Sequence, residues 1–327
     1  MKKRLKDVID YSKLDGEMRS MIEKLPESAE QALIEIYDED SDFIRYARLD
    51  NIYGDFSISD TTELYHYTSY ENLVSIIEGK KFWIKNKSFM NDPKEFNYTY
   101  ELCEILLSQI DASGDEINEF KSIVNTTKFD IYLWCFSENK ASQALWGNYG
   151  NKNGVALRMN MKVLMESLAV HFSNGKDNLN DYTVGSAYVI PLKILYNQEE
   201  QMKRLKIVLL QWLRARRNNQ FDPVDMSEIK DYCLQALFTY ALMMKNPLLY
   251  QEEEARFIIL NFTEGNEVNP EFYDSSNVPY VSCPLTDSML SEVVIQTGSS
   301  IKHSDVKSIL SIHGYLKTKI SDSILPY

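Results

Sequence analysis

Hydrophobic positions along the chain fall into three regimes. Over residues 1–60 they are sparse: Leu33, Ile34, Ile36 and Phe43 form only a broken stripe, which predicts two polar helices and a loop. From residue 64 onward the pattern tightens into short apolar runs. Those at 64–67, 82–84, 131–136 and 154–159 are rich in aromatic and β-branched residues and predict strands. Leu73, Ile76 and Ile77 share one face of a helix over 70–78, with Ser69 as its N-cap and Gly79 at its end. Asn91-Asp92-Pro93 predicts a turn from which Pro93 opens a further helix, and 141–149 predicts a short one. The third regime is helical, over 199–219 and 226–245, stopped by Asn246-Pro247. Strands follow at 254–261, 291–295 and 317–320, with a helix over 304–315 between the last two.

Strands and helices alternate without a strict βαβ order, so the expected class is α+β with a mixed sheet, not a doubly wound parallel one. The expected organisation is a helical N-terminal extension over 1–60 that packs on a main α+β domain over 61–327, with a helical insertion at about 199–245.

Composition narrows the partners. A formal net charge of -13 argues against broad, sequence-independent binding to nucleic acid, which needs a wide cationic surface. It leaves room for a narrow basic channel. Cys103, Cys135, Cys233 and Cys283 form no CxxC pair and are expected as buried, reduced thiols. Met1-Lys2-Lys3-Arg4 looks like the start of a signal peptide, but Asp7, Asp10 and Lys13 interrupt any apolar stretch after it. No run approaches the ~18 apolar residues of a membrane span. The expectation is a cytoplasmic protein without a membrane partner. Phosphate-loop, dinucleotide-fold, zincin and hydrolase-elbow signatures are missing.

Five places carry candidate chemistry. On a strand, His66 and Thr68 point opposite to Tyr65 and Tyr67, and either present hydrogen bonds to a ligand or tie the strand to a neighbour. Asp92 orders a ligand or simply builds its turn. Ser137 serves a ligand or caps the next helix. Trp146 and Tyr149, three apart on a helix, stack on a planar ring or belong to the core. Glu252, Glu254 and Arg256 share one face if they enter a strand; a carboxylate aimed by an arginine suits a reaction that develops positive charge, whereas a solvated ion pair contributes little. Finally, Lys203, Arg204, Lys206, Arg214, Arg216 and Arg217 form a basic stretch that suits a nucleic-acid strand or a phosphate-bearing cofactor, or else a solvated helix face.

The order and spelling of these segments resemble a bacterial family, domain of unknown function 2971. The pieces are Leu64-Tyr65-His66-Tyr67-Thr68 with Glu71-Asn72-Leu73, Asn91-Asp92-Pro93, Cys135-Phe136-Ser137-Glu138-Asn139, Leu145-Trp146 with Tyr149, Gly154-Val155, Glu252, Glu254 and Arg256, and Ser323-Ile324-Leu325-Pro326-Tyr327. The strand with His, Tyr and Thr, followed by a helix and a glycine, also resembles the opening of ADP-ribosyltransferases, most of all the DNA-modifying branch and the tRNA 2'-phosphotransferases. That resemblance implies a split mixed sheet with NAD in the cleft. It implies His66 on the ribose, Tyr67 and Thr68 framing the nicotinamide, and Trp146 or Tyr149 stacking. Ser137 takes the middle position. Glu254 becomes the catalytic carboxylate, with Glu252 as second choice, and Arg256 orients it or meets a phosphate. The two long helices before Glu254 depart from compact members of that fold.

The expected function is therefore NAD-dependent ADP-ribosyl transfer or NAD glycohydrolysis, as in a bacterial toxin or phage-defence effector with a protein or nucleic-acid acceptor. This reading requires His66 and Glu254 to face each other across a cleft. A non-catalytic nucleotide- or partner-binding module would instead commit the glutamates to structural cations. A metal-dependent nuclease would gather Asp92, Glu252 and Glu254 on a cation.

Overall fold

The computed structural model describes residues 3–90, 95–126, 131–172, 187–260, 271–272 and 277–325. Asn91-Asp92-Pro93 and Pro326-Tyr327 lie outside the described residues. The chain divides into two compact units: residues 1–56, 94–127 and 195–247 form one, and residues 57–93, 128–194 and 248–327 form the other.

The first unit is helical. Its N-terminal part holds four α-helices, Gly16–Glu23, Glu27–Tyr37, Asp42–Ala47 and Leu49–Asp55, where sequence periodicity predicts only two. Segments this short give too few turns for a 3.6-residue period to show. Glu95–Gln109 and Gly114–Thr126 follow, and then the two long helices, Gln198–Arg217 and Pro223–Met243. Asn197 caps the first of these through Glu200 N–H, and Asp222 caps the second through Asp225 N–H, with Pro223 in the first turn. Trp212 is fully buried, edge-on to Phe120.

The basic stretch is largely paired within this unit, although Lys203, Lys206 and Arg217 are exposed. Arg204 donates to Asp55 (2.7 Å) and Glu200 (2.6 Å) and stacks over Tyr46 and Phe56. Arg216 and Arg217 both reach Glu116. Lys203 donates to the Tyr46 hydroxyl. These cations already have partners, which counts against a nucleic-acid groove here. Glu116 is held down at about 2, chiefly by the hydrogen bond from Arg217, which outweighs the opposing effect of burial.

The second unit is α+β. Its strands are β1 (Glu63–Ser69), β2 (Lys81–Lys85), β3 (Ile131–Ser137), β4 (Gly154–Asn160), β5 (Tyr188–Lys193), β6 (Glu254–Leu260), β7 (Glu271–Phe272), β8 (Pro279–Pro284), β9 (Glu292–Ile295) and β10 (Lys319–Asp322). They form a seven-stranded sheet, β10-β9-β4-β1-β3-β6-β5, and a three-stranded one, β2-β8-β7. Among the described residues, β10/β9 is the one parallel strand pairing of this unit. The larger sheet is nearly divided: β1 pairs with β4 along its full length but meets β3 at a single register pair, Tyr65↔Ser137. The mixed, split sheet expected from the sequence is thus present. β5 and β8 escape sequence reading because prolines lie within or at the ends of them, at 191, 279 and 284. β5 tolerates Pro191 as an edge strand with no ladder to break on one side.

Helix α1 (Tyr70–Gly79) follows β1 directly and is capped by Ser69, whose hydroxyl accepts Asn72 N–H at 3.2 Å. Gly79 is its last residue, and the left-handed cap is Lys80, at φ 49°. Leu73 and Ile77 are wholly buried, contributing roughly 1.5–3 kcal/mol each by leaving water. α2 (Met161–Phe172) and α3 (His303–Ile312) also pack on the sheet core through Leu164, Leu168, Val306 and Leu310. One face of the large sheet carries that core, through Leu64, Trp134, Phe136, Leu157, Phe257 and Val293 among others. The opposite face carries a smaller apolar cluster of Tyr65, Tyr67, Leu145, Trp146, Ala156 and Val294, and the polar residues described next.

Candidate functional site

Strand alternation distributes the candidate residues over both faces. His66 points into the core face. Its Nδ1–H donates to the Cys135 carbonyl at 3.0 Å, and its ring meets Phe82 and Phe136 edge-on. This bond bridges β1 and β3 where their ladder stops. Burial lowers the imidazole pKa, outweighing the carbonyl that favours the proton, so the ring is neutral at pH 7. Thr68, on the same face, is buried and accepts from Asn72.

The other face holds Tyr65, Tyr67, Ser137, Glu254 and Arg256. His66 and Glu254 therefore do not face each other; the sheet lies between them, which corrects the expected opposition. The cause is register. Tyr65 pairs with Ser137 and Ser137 with Glu254, so odd-numbered β1 residues share Glu254's face and His66 does not.

Register lines up one row across five strands: Glu292 opposite Arg158, Arg158 opposite Tyr65, Tyr65 opposite Ser137, and Ser137 opposite Glu254. Four strand spacings make this row about 19 Å long. Each end carries a buried carboxylate on an arginine. At one end Arg256, 1% exposed, holds Glu254 through Nε to Oε1 (2.5 Å) and Nη2 to Oε2 (3.1 Å), a bidentate pair. At the other, Arg158 bridges Glu63 (Nε to Oε2, 2.9 Å) and Glu292 (Nη1 to Oε2, 3.1 Å). Glu292 also accepts from Ser321 at 2.6 Å, with Lys140 Nζ 3.8 Å away. Burial raises the Glu292 pKa, but the hydrogen bonds from Ser321 and Arg158 outweigh it, and the carboxyl titrates below its usual range. Glu292 was not singled out from sequence. The available signal was an acid at the head of the apolar run Val293-Val294-Ile295, whereas Glu254 drew attention as the last of three successive glutamates and as sharing a strand face with Arg256.

Two other expectations are corrected by backbone geometry. Glu252 does not share the pleat of Glu254: it ends a short 3-10 turn, and Glu253 is left-handed at φ 43°, so alternation begins only at Glu254. Trp146 and Tyr149 do not share a helical face, because Trp146–Gly150 is a π-helical turn; Trp146 is 3% exposed and Tyr149 41%. Ser137, wholly buried, donates to the Glu252 carbonyl at 2.7 Å and accepts Asn139 N–H at 3.0 Å. The following helical turn is capped by Ser142 instead, at Leu145 N–H.

The segment 138–142 ties the row together. Tyr67 donates its hydroxyl proton to the Asn139 carbonyl (2.6 Å) and accepts Ser142 N–H (3.1 Å). Asn139 donates to Glu253, Ser142 donates to the Gln251 carbonyl, and Lys140 reaches toward Glu292. Burial raises the Tyr67 pKa, keeping that phenol a donor. The Tyr67 ring stands edge-on to Trp146, centroids 4.7 Å apart. Chemically, this face offers fixed carboxylates for a developing cation or for hydroxyl groups, guanidiniums for anions, and an aromatic wall for a planar ring. Among the described residues no group of three His, Cys, Asp or Glu side chains is placed to hold a metal ion, and no helix is long and apolar enough to cross a membrane.

The family described as "Protein of unknown function (DUF2971)" matches residues 145–257, from the turn carrying Trp146 to β6 with Glu254 and Arg256. No curated protein matches the chain. Among solved structures, Thermus sp. 2.9 DarT in complex with NAD+ aligns over 81% of this chain and 97% of its own, at 9% identity and a TM-score of 0.30.

Proposed function

We propose that this chain cleaves the N-glycosidic bond of NAD and passes ADP-ribose to an acceptor nucleophile or to water. The observation that carries the reading is the row on one sheet face: a buried carboxylate held by an arginine at each end, with the Tyr67–Trp146 wall beside it. The bond between ribose C1' and the nicotinamide nitrogen breaks, and its electron pair leaves with the ring as neutral nicotinamide. C1' develops positive charge, which a fixed carboxylate, Glu254 or Glu292, stabilises electrostatically. The nucleophile then adds to C1' and releases its proton; with water the products are ADP-ribose, nicotinamide and H+. Trp146 and Tyr67 bound the ring, with Tyr149 at the exposed rim, and Arg256 and Arg158 orient their carboxylates. His66, Thr68 and Ser137 act as struts that hold β1, β3 and β6 in register, and Glu252 contributes through its backbone. Acting on a protein or nucleic-acid acceptor, or depleting NAD, such a chain works as a bacterial toxin or phage-defence effector in the cytoplasm.

A second reading, a nucleotide-binding module without catalysis, draws on one observation: both oxygens of Glu254 are taken by Arg256. Chromatography of nicotinamide after incubating the full chain with NAD separates the two. Release by the wild type that is lost in a Glu254→Gln/Glu292→Gln double variant supports cleavage. NAD binding by calorimetry without release supports the binding module, and neither binding nor release removes both.

A further inference from the structure

Glu254 and Glu292 stand about 19 Å apart along the row, too far to serve one ribose together. The aromatic wall decides between them. Trp146 stands edge-on to Tyr67 and against Gly154, so it sits over β1 and β4, in one cluster with Val294 of β9 and on the Glu292 side of the row's centre. Val294 is two residues from Glu292 on the same side of β9, about 7 Å away.

Two features of this half bear on ligand binding. The Trp146 Nε1–H is buried without an acceptor among the described residues, as are those of Trp134, in the core on the other face, and Trp212, in the helical unit; of the three, Trp146 is the one on this face. A buried donor left unsatisfied costs about 1–3 kcal/mol, and an apolar ring would avoid that cost. The opposite edge of the indole, at Cε3, lies against Gly150 and Gly154, where an added Cβ would come within 3.4 and 3.1 Å of it. The N–H edge is therefore turned away from that backbone. The second feature is the Glu63–Arg158–Glu292–Ser321 network beside an apolar cluster. Within it Glu292 is buried, while Arg158 is 32% and Glu63 33% exposed. Its outer cation, Lys140, is 3.8 Å from Glu292, beyond hydrogen-bond length, on a side chain 37% exposed. Of the described groups around Glu292, Ser321 and Arg158 are hydrogen-bonded to it and Lys140 is not, so a ligand hydroxyl would take the place of Lys140. At Glu254 the short bidentate bonds to Arg256 would have to break.

Resting on the NAD reading, we propose that Glu292 is the carboxylate that receives the hydroxyls of the reacting ribose, that the Trp146 indole N–H donates to the carboxamide oxygen of the leaving ring, and that Glu254–Arg256 is a structural clasp. The substrate class is a dinucleotide whose leaving base carries a carboxamide, and Lys140 is the group that moves on binding.

The test is calorimetric titration of NAD into the full-length wild type, Glu292→Gln, Glu254→Gln and Trp146→Phe, with nicotinamide release followed in parallel and thermal melting as the folding control. Trp146→Phe keeps an aromatic ring and removes the N–H, so it reports even if Glu292→Gln is poorly folded. The expected result is binding weakened at least about fivefold in Trp146→Phe, and release reduced at least about 100-fold more in Glu292→Gln than in Glu254→Gln. Full binding by Trp146→Phe, or release lost in Glu254→Gln and kept in Glu292→Gln, overturns the assignment while leaving the NAD reading in place. A wild type that neither binds NAD nor releases nicotinamide overturns both.

Discussion

Replacing Arg256 with methionine is the sharpest test of how the Glu254 end of the row is held. Arg256 is 1% exposed and its partner carboxylate 6% exposed. Both Glu254 oxygens are bonded to it, at 2.5 and 3.1 Å. Methionine fills most of the volume but leaves a buried carboxylate without its guanidinium, which costs about 3–5 kcal/mol. Removing both charges in Glu254→Leu/Arg256→Met trades the pair for apolar packing, and such exchanges are often neutral or stabilising. The double variant is therefore expected to recover at least about 2 kcal/mol of the single variant's loss. Urea unfolding followed by tryptophan fluorescence measures both, since Trp83, Trp134 and Trp146 lie in this unit. A loss below about 1 kcal/mol in Arg256→Met, or a double variant no more stable than the single one, refutes the claim that Arg256 neutralises a buried charge.

Other consequences are as direct. Glu116, held at about 2 against 4.5 for a free glutamate, contributes stability that is complete above pH 4.5 and lost as the pH falls toward 2. Its arginine partners reach solvent, so the contribution is discounted to about 2 kcal/mol, and Glu116→Gln should flatten the acid limb of a stability–pH curve; an unchanged limb contradicts the assignment. His66 should titrate below 6.5 in a proton NMR series, since desolvation disfavours its charged form; a midpoint above that value contradicts the neutral ring. Gly154→Ala places a Cβ 2.4 Å from Gly150 Cα and 3.1 Å from Trp146 Cε3, and should destabilise by about 1–3 kcal/mol, whereas Gly147→Ala meets nothing within 4 Å and should not. Equal melting temperatures for the two variants would show that the turn beneath Trp146 is not tightly packed.

Much of the frame was legible in the sequence because it rests on local rules. The alternation that sets His66 and Thr68 against Tyr65 and Tyr67, the Ser69 cap, and the two long helices follow from period and capping alone. What depends on register between distant strands was not legible. Which face Glu254 shares, and with whom, is decided by Tyr65↔Ser137↔Glu254, a pairing that no segment encodes by itself. The π turn that separates Trp146 from Tyr149 and the left-handed Glu253 are departures from the spacing that a regular helix or strand assumes. Glu292 stands out only once Arg158 is seen opposite it across β4 and β9.

The measurement that bears most directly on the central claim is nicotinamide release from NAD by the wild-type chain, beside the Glu254→Gln/Glu292→Gln double variant. The account predicts release that grows with time and protein concentration in the first and is absent in the second. No release by a folded wild type, or equal release by both, contradicts it.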